Sequence, residues 1–194
     1  MPLLDSPETA GGALRAVAAA VDQLLDALHR LAAKYGPACC VLLCTNLDTL
    51  APAAPSDAHW RTVLVQLGMS SAQRARALDC YAVYLQRGQL ASATRERASQ
   101  ELRRLQEHTS SHTAYWAAAA GLRRLLTAEH AAYAALGCTL RSILSRAQLA
   151  RWVVCSWPFF PSPADLMAAL QQESAAAAAP PPGAAAWGLL PRRE

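Results

Sequence analysis

Apolar side chains recur along most of this chain every three to four residues, the spacing of one helix face. From Leu14 they continue at Val17, Val21, Leu24, Leu28, Leu31 and Tyr35, a heptad seam three repeats long. Ser6-Pro7-Glu8 supplies a helix start and Gly36-Pro37 a stop. Such a seam suits a short self-associating coiled coil, and equally one helix of an antiparallel bundle. The segment 38–50, with Cys39-Cys40-Val41-Leu42-Leu43-Cys44, is predicted as a short buried helix. Ala51-Pro52-Ala53-Ala54-Pro55 reads as a loop. Ser56 or Asp57 then caps a helix with Trp60, Val63, Leu64 and Leu67 on one face, closed by Gly68.

Further on, the spacing predicts a long helix with Leu78, Tyr81, Leu85, Leu102 and Leu105 on its face and Gly88 midway. Thr109-Ser110-Ser111 is a turn, and the next helix runs from about His112 to Leu126. Thr127 is placed to cap another, with His130, Tyr133, Leu136, Leu140 and Ile143. A short helix ends near Cys155, and a last one runs from Ser162 or Ala164 to Gln172. No stretch alternates with period two, so the fold class is all-α, an irregular multi-helix bundle from residue 7 to 172. Residues 1–50 hold the seam and the Cys-rich segment, and 57–172 form the main helical domain. The Ala run and Pro180-Pro181-Pro182-Gly183 make 173–194 a predicted disordered tail.

One phrase occurs twice. Met69-Ser70-Ser71-Ala72-Gln73-Arg74-Ala75-Arg76 returns as Leu144-Ser145-Arg146-Ala147-Gln148-Leu149-Ala150-Arg151. Ser followed three residues later by Gln is a capping box, in which hydroxyl and amide each satisfy a backbone N–H at the helix start. Ser70 with Gln73, and Ser145 with Gln148, therefore each open a helix, with an apolar residue before the Ser to staple it.

Composition strengthens the helical reading, because Ala is the best helix former and is abundant here. Seventeen Arg and a single Lys give a net charge of +4, unevenly spread. Residues 1–60 sum to −3 and residues 61–126 to +6. A basic middle can meet nucleic acid or an acidic partner, but it also describes a solvated helix face. No apolar run reaches the roughly 18 residues of a membrane span, and the start has no basic n-region of a signal peptide and carries Asp5 and Glu8 early. The expectation is a soluble intracellular protein with reduced thiols.

The order Trp60, Leu64, Leu67-Gly68-Met69-Ser70, Gln73, then Tyr84 and Arg95-Glu96-Arg97, resembles a known helical module. So does Thr139-Leu140-Arg141-Ser142-Ile143-Leu144-Ser145 with Gln148, Ala150 and Arg151. The module follows the basic leucine zipper in TGA-type plant transcription factors and also occurs alone in seed-dormancy-control proteins. The stretch Gln148 to Pro163, with Trp157-Pro158-Phe159-Phe160-Pro161, is similar to versions in green-algal bZIP-type proteins. The resemblance covers about residues 58–170. It implies a transcription-regulatory protein-interaction module in the nucleus, acting by self-association or through a protein partner. A DNA-reading basic helix is dense in Arg and Lys, whereas residues 1–35 hold only Arg15, Arg30 and Lys34. Direct DNA binding is therefore not expected.

Chemistry-bearing motifs are few. The chain has no phosphate-binding Gly loop, no nucleophile elbow and no paired carboxylates, so no enzyme is expected. His108 and His112 stand four apart, but a turn separates them and no third ligand is near, so no metal is assigned. The resembled family includes haem-binding proteins with a His ligand. None of His29, His59, His108, His112 or His130 sits in such a motif, and no cofactor is assigned. Cys39, Cys40 and Cys44 are small core residues on the plain reading and a redox-responsive set on the sharper one. With the aromatic helix faces they make the alternative function, a small-ligand (haem-like) or redox sensor. Trp157, Pro158, Phe159 and Phe160 form the candidate partner surface, because Pro-flanked aromatics are hard to bury in a bundle.

Overall fold

The computed structural model describes residues 12, 15–17, 19–27, 30, 39–108 and 111–178, without the side chains of Cys39, Cys40 and His108. Among the described residues the fold is all-α, with one isolated bridge between Thr45 and Pro52 in place of any strand. Residues 15–17 and 19–27 are helical. Six helices follow: α1 (Cys39–Leu43), α2 (Asp57–Leu67), α3 (Ser71–His108), α4 (His112–Ile143), α5 (Arg146–Cys155) and α6 (Pro163–Ala178). None of the described helices is long and apolar enough to cross a membrane.

Each helix start has a local cause. The Ser56 and Ser111 hydroxyls accept the N–H of His59 and Ala114 and open α2 and α4. Ser162 does the same for Asp165 at the head of α6. Gly68 closes α2 in the left-handed region, at φ 59°, where a side chain would be strained.

The core lies at one end of the molecule. α2 contributes Trp60, Val63, Leu64 and Leu67, and the first turns of α3 contribute Ala77 and Tyr81. The last turns of α4 add Leu136, Leu140 and Ile143. α5 adds Leu149 and Trp152, and α6 adds Leu166, Met167, Ala169 and Leu170. Val21 is buried in the same core, with Leu25 packed against it. Asp22 and Asp26 fix that N-terminal helix by pairing with Arg141, at 3.3 and 2.7 Å, and Asp22 also reaches Arg146. The hydrogen bond to Asp26 holds the Arg141 guanidinium above its ordinary pKa, against the opposing effect of burial.

Three expectations are corrected. The segment after Ala38 is helical for only five residues and is not buried, since Val41 is 67% exposed. Residues 112–143 form one helix of 32 residues, not two. Thr127 does not cap; its hydroxyl donates to the Arg123 carbonyl one turn back, at 2.9 Å, which lets the helix pass through. The last helix also continues to Ala178, beyond Gln172, because the Ala run extends it. The helix start at Ser6-Pro7-Glu8, the stop at Gly36-Pro37, Leu14, Leu28 and Leu31 of the seam, and residues 179–194 lie outside the described residues.

Candidate functional site

The two copies of the repeated phrase meet. Gln73 Oε1 accepts the Ser70 N–H at 3.0 Å, and Gln148 Oε1 accepts the Ser145 N–H at 2.9 Å, so both capping boxes form. The two amides then bond to each other. Gln73 Nε2 donates to Gln148 Oε1 at 2.9 Å, and Gln148 Nε2 donates to Gln73 Oε1 at 3.1 Å. Their remaining hydrogens reach equivalent carbonyls, Gln73 to Ile143 at 2.9 Å and Gln148 to Gly68 at 3.2 Å. Gly68 and Ile143 each stand two residues before a capping Ser, so the clasp has a local two-fold pattern. Each amide uses two donors and two acceptor positions, its full capacity. Met69 and Leu144, the staple residues, are both buried beside it. The clasp fixes the start of α3 against the end of α4 and the start of α5.

From that fixed base, α3 and α4 leave the core as an antiparallel pair. Thirty-eight residues at 1.5 Å each make α3 about 57 Å long. The core uses α3 only as far as Leu85 and α4 only from Leu136. The outer parts, residues 87–108 and 112–132, form an arm. Leu105 is buried near the arm's tip, apart from the main core. Between tip and base, the facing positions are small: Gly88, Ala91, Ser92, Ala128, Ala131, Ala132. An open surface groove of about 650 Å³ runs along them. A second groove of about 580 Å³ continues it toward the tip, past Ala98, Ala118 and Gly121, with Leu125 and Ala128 common to both.

The groove carries charge at its edges. Arg95 and Glu129 bridge the two helices at 2.8 Å and set their register. Glu101 pairs with Arg104 one turn on, at 2.7 Å. The hydrogen bond from Arg104 holds the Glu101 carboxyl below its usual range. Arg87, Arg97, Arg103, Arg123 and Arg124 are exposed on the arm. Apolar side chains stand out beside them: Leu90 is 70% exposed and Trp116 67%. Trp116 sits edge-on to Tyr115 and lines a shelf with Ala119, Ala120 and Arg123.

The other candidate residues fall elsewhere. Trp157 is 57% exposed, but its neighbours turn inward. The Pro158 carbonyl accepts the Leu47 N–H at 2.8 Å, and Phe159 lies edge-on to His59. Phe160 lines a recess beside Trp152, so the segment is partly folded back on the core. Of the heptad seam, Val21 is buried, whereas Val17 and Leu24 face solvent. Cys44 is exposed, and it forms no disulfide; nor do Cys80, Cys138 and Cys155. Among the described residues no group of three His, Cys, Asp or Glu side chains could hold a metal ion. His59 and His130 bury their Nε2 atoms without a hydrogen-bond partner among those residues.

The arm's groove and its projection from the core were not read from the sequence. Small residues at seam positions 88, 91 and 92 were the available signal. No family model matches this chain, and neither a curated protein nor a solved structure is significantly similar to it.

Proposed function

We propose that this chain is a non-enzymatic helical association module, and that the arm is its working surface. The observation that carries the reading is the groove along α3 and α4. A paired-helix scaffold projects far beyond the core that anchors it, with a groove of small residues along it and Leu90 and Trp116 exposed alongside. An open seam between two helices is the shape into which a further helix packs. A second copy of the chain is the occupant proposed first, since the arm itself offers exposed helix faces of matching small and apolar residues. The resemblance to the helical region of TGA-type and green-algal bZIP factors supports the further proposal that this association serves transcriptional regulation in the nucleus.

Sedimentation equilibrium of the full chain tests this. The proposal expects concentration-dependent dimers that are lost when Ser92→Gln and Ala128→Gln fill the groove. Both positions are exposed and outside the core, so circular dichroism of the variant should match the parent. A chain that stays monomeric at the highest soluble concentration, or dimers indifferent to the two substitutions, would remove the arm from the account.

A further inference from the structure

Away from the arm, an open groove of about 360 Å³ lies between α6 and the segment leading into α2. Ala168, Ala169 and Gln172 line it from α6, and Leu43, Cys44 and Pro55 from that segment. The lining is mainly apolar, yet it carries two carboxylates, Asp57 and Asp165, and no basic residue. Both are exposed, and neither forms an ion pair among the described residues. An acid in the first turn of a helix is locally favourable, so the two carboxylates alone name no occupant. The sequence beyond α6 does. From Ala178 as far as Ala186 it holds only Ala, Pro and Gly, and then comes Trp187-Gly188-Leu189-Leu190-Pro191-Arg192-Arg193-Glu194. Trp187, Leu189 and Leu190 are its only large apolar side chains, and two guanidiniums follow them.

We propose that residues 187–193 of this chain seat in this groove. Trp187, Leu189 and Leu190 cover Leu43, Pro55 and the α6 alanines, and Arg192 and Arg193 pair with Asp165 and Asp57. The match has two independent parts, apolar surface on apolar surface and two guanidiniums on two carboxylates that lack partners. Glu194 leaves the motif net basic. The reach is sufficient. Pro180-Pro181-Pro182 cannot continue the helix. The nine residues from Ala178 to Trp187 span up to about 30 Å, whereas α6 measures only about 20 Å from Asp165 to Ala178. The segment therefore turns back antiparallel to α6, with Trp187 near Gln172 and the arginines near Asp165. Its tether keeps it at high effective concentration, so modest contacts hold it in place. The groove is independent of the arm and of the association proposed above.

Cys44, exposed on the groove wall, reports whether the groove is covered. The full chain is treated briefly with iodoacetamide, and alkylation of each cysteine is read by peptide mass spectrometry. Cys138, exposed and outside the groove, is the internal standard. Cys44 is expected to react several-fold more slowly in the parent than in Trp187→Ala, Leu190→Ala, with Cys138 unchanged. Arg192→Glu, Arg193→Glu should free Cys44 likewise, and adding Asp57→Arg, Asp165→Arg should restore its protection. The tail substitutions lie outside the core, and circular dichroism of each variant should match the parent. Protection should not change with protein concentration. Equal Cys44 rates in parent and tail variants would overturn the inference, as would failure of the charge exchange to restore protection in an equally helical variant. Protection that grows with concentration would also overturn it, because the occupant would then be the tail of another copy. Substitutions in the arm should leave the Cys44 rate unchanged, so failure here and failure of the arm are distinguishable.

Discussion

At the residue scale, Gln73 and Gln148 carry the most structure per atom. Each closes its own capping box, bonds the other amide and holds a carbonyl of the other segment. Replacing either by Ala strands the partner's amide and two backbone groups. Each single variant should lose about 1–3 kcal/mol of stability, and the double variant clearly less than the sum, because the second change removes groups already stranded. Urea unfolding of the set checks this; strict additivity would show that the two boxes act separately. Tyr81 gives a second handle. Burial raises its phenol above the ordinary pKa of 10.0, with smaller contributions from Tyr84 and Asp165. The folded state thus keeps a proton that the unfolded chain gives up, so stability should fall as pH climbs above that ordinary value. Tyr81→Phe should flatten the fall, measured by denaturant unfolding across the alkaline range.

Among the elements, the N-terminal helix is held by Val21, Leu25 and the Asp22, Asp26, Arg141, Arg146 cluster. Partly exposed ion pairs contribute at most about 1 kcal/mol each, so this helix should be the first to open. Arg141→Gln should speed hydrogen exchange of residues 19–27 while leaving α5 protected; equal loss in both would mean that the helix and core unfold as one. Much at this scale was legible beforehand. Ser56, Ser145 and Ser162 announce helix starts because a cap is a local device, readable from four residues. Thr127 misled for the same reason, since its hydroxyl satisfies a mid-helix carbonyl as readily as a helix start. The heptad at Leu14 to Leu31 showed a seam without showing which face would be used. Docking took Val21 and Leu25, and left Val17 and Leu24 to solvent. The meeting of the two repeats, 75 residues apart, was not legible, because one capping box reads the same whether or not another lies against it.

For the whole molecule, the division between core and arm decides what each half can do. The main core extends along α3 to Leu85 and along α4 from Leu136, counting the residues packed against it, and the clasp lies at its base. Excising residues 92–126 and closing the helices with a short turn should therefore leave a cooperative core with a similar melting temperature; a molten product would show that the arm stabilises the base. A seam of small residues in sequence marks close helix approach and an open surface groove alike, and the spacing alone does not distinguish them. The central claim is that this groove is a surface for association. Sedimentation equilibrium of the full chain beside the Ser92→Gln, Ala128→Gln variant tests it most directly. The account predicts dimers for the parent and monomers for an equally helical variant; a parent that remains monomeric throughout, or a variant that dimerises as well as its parent, would contradict it.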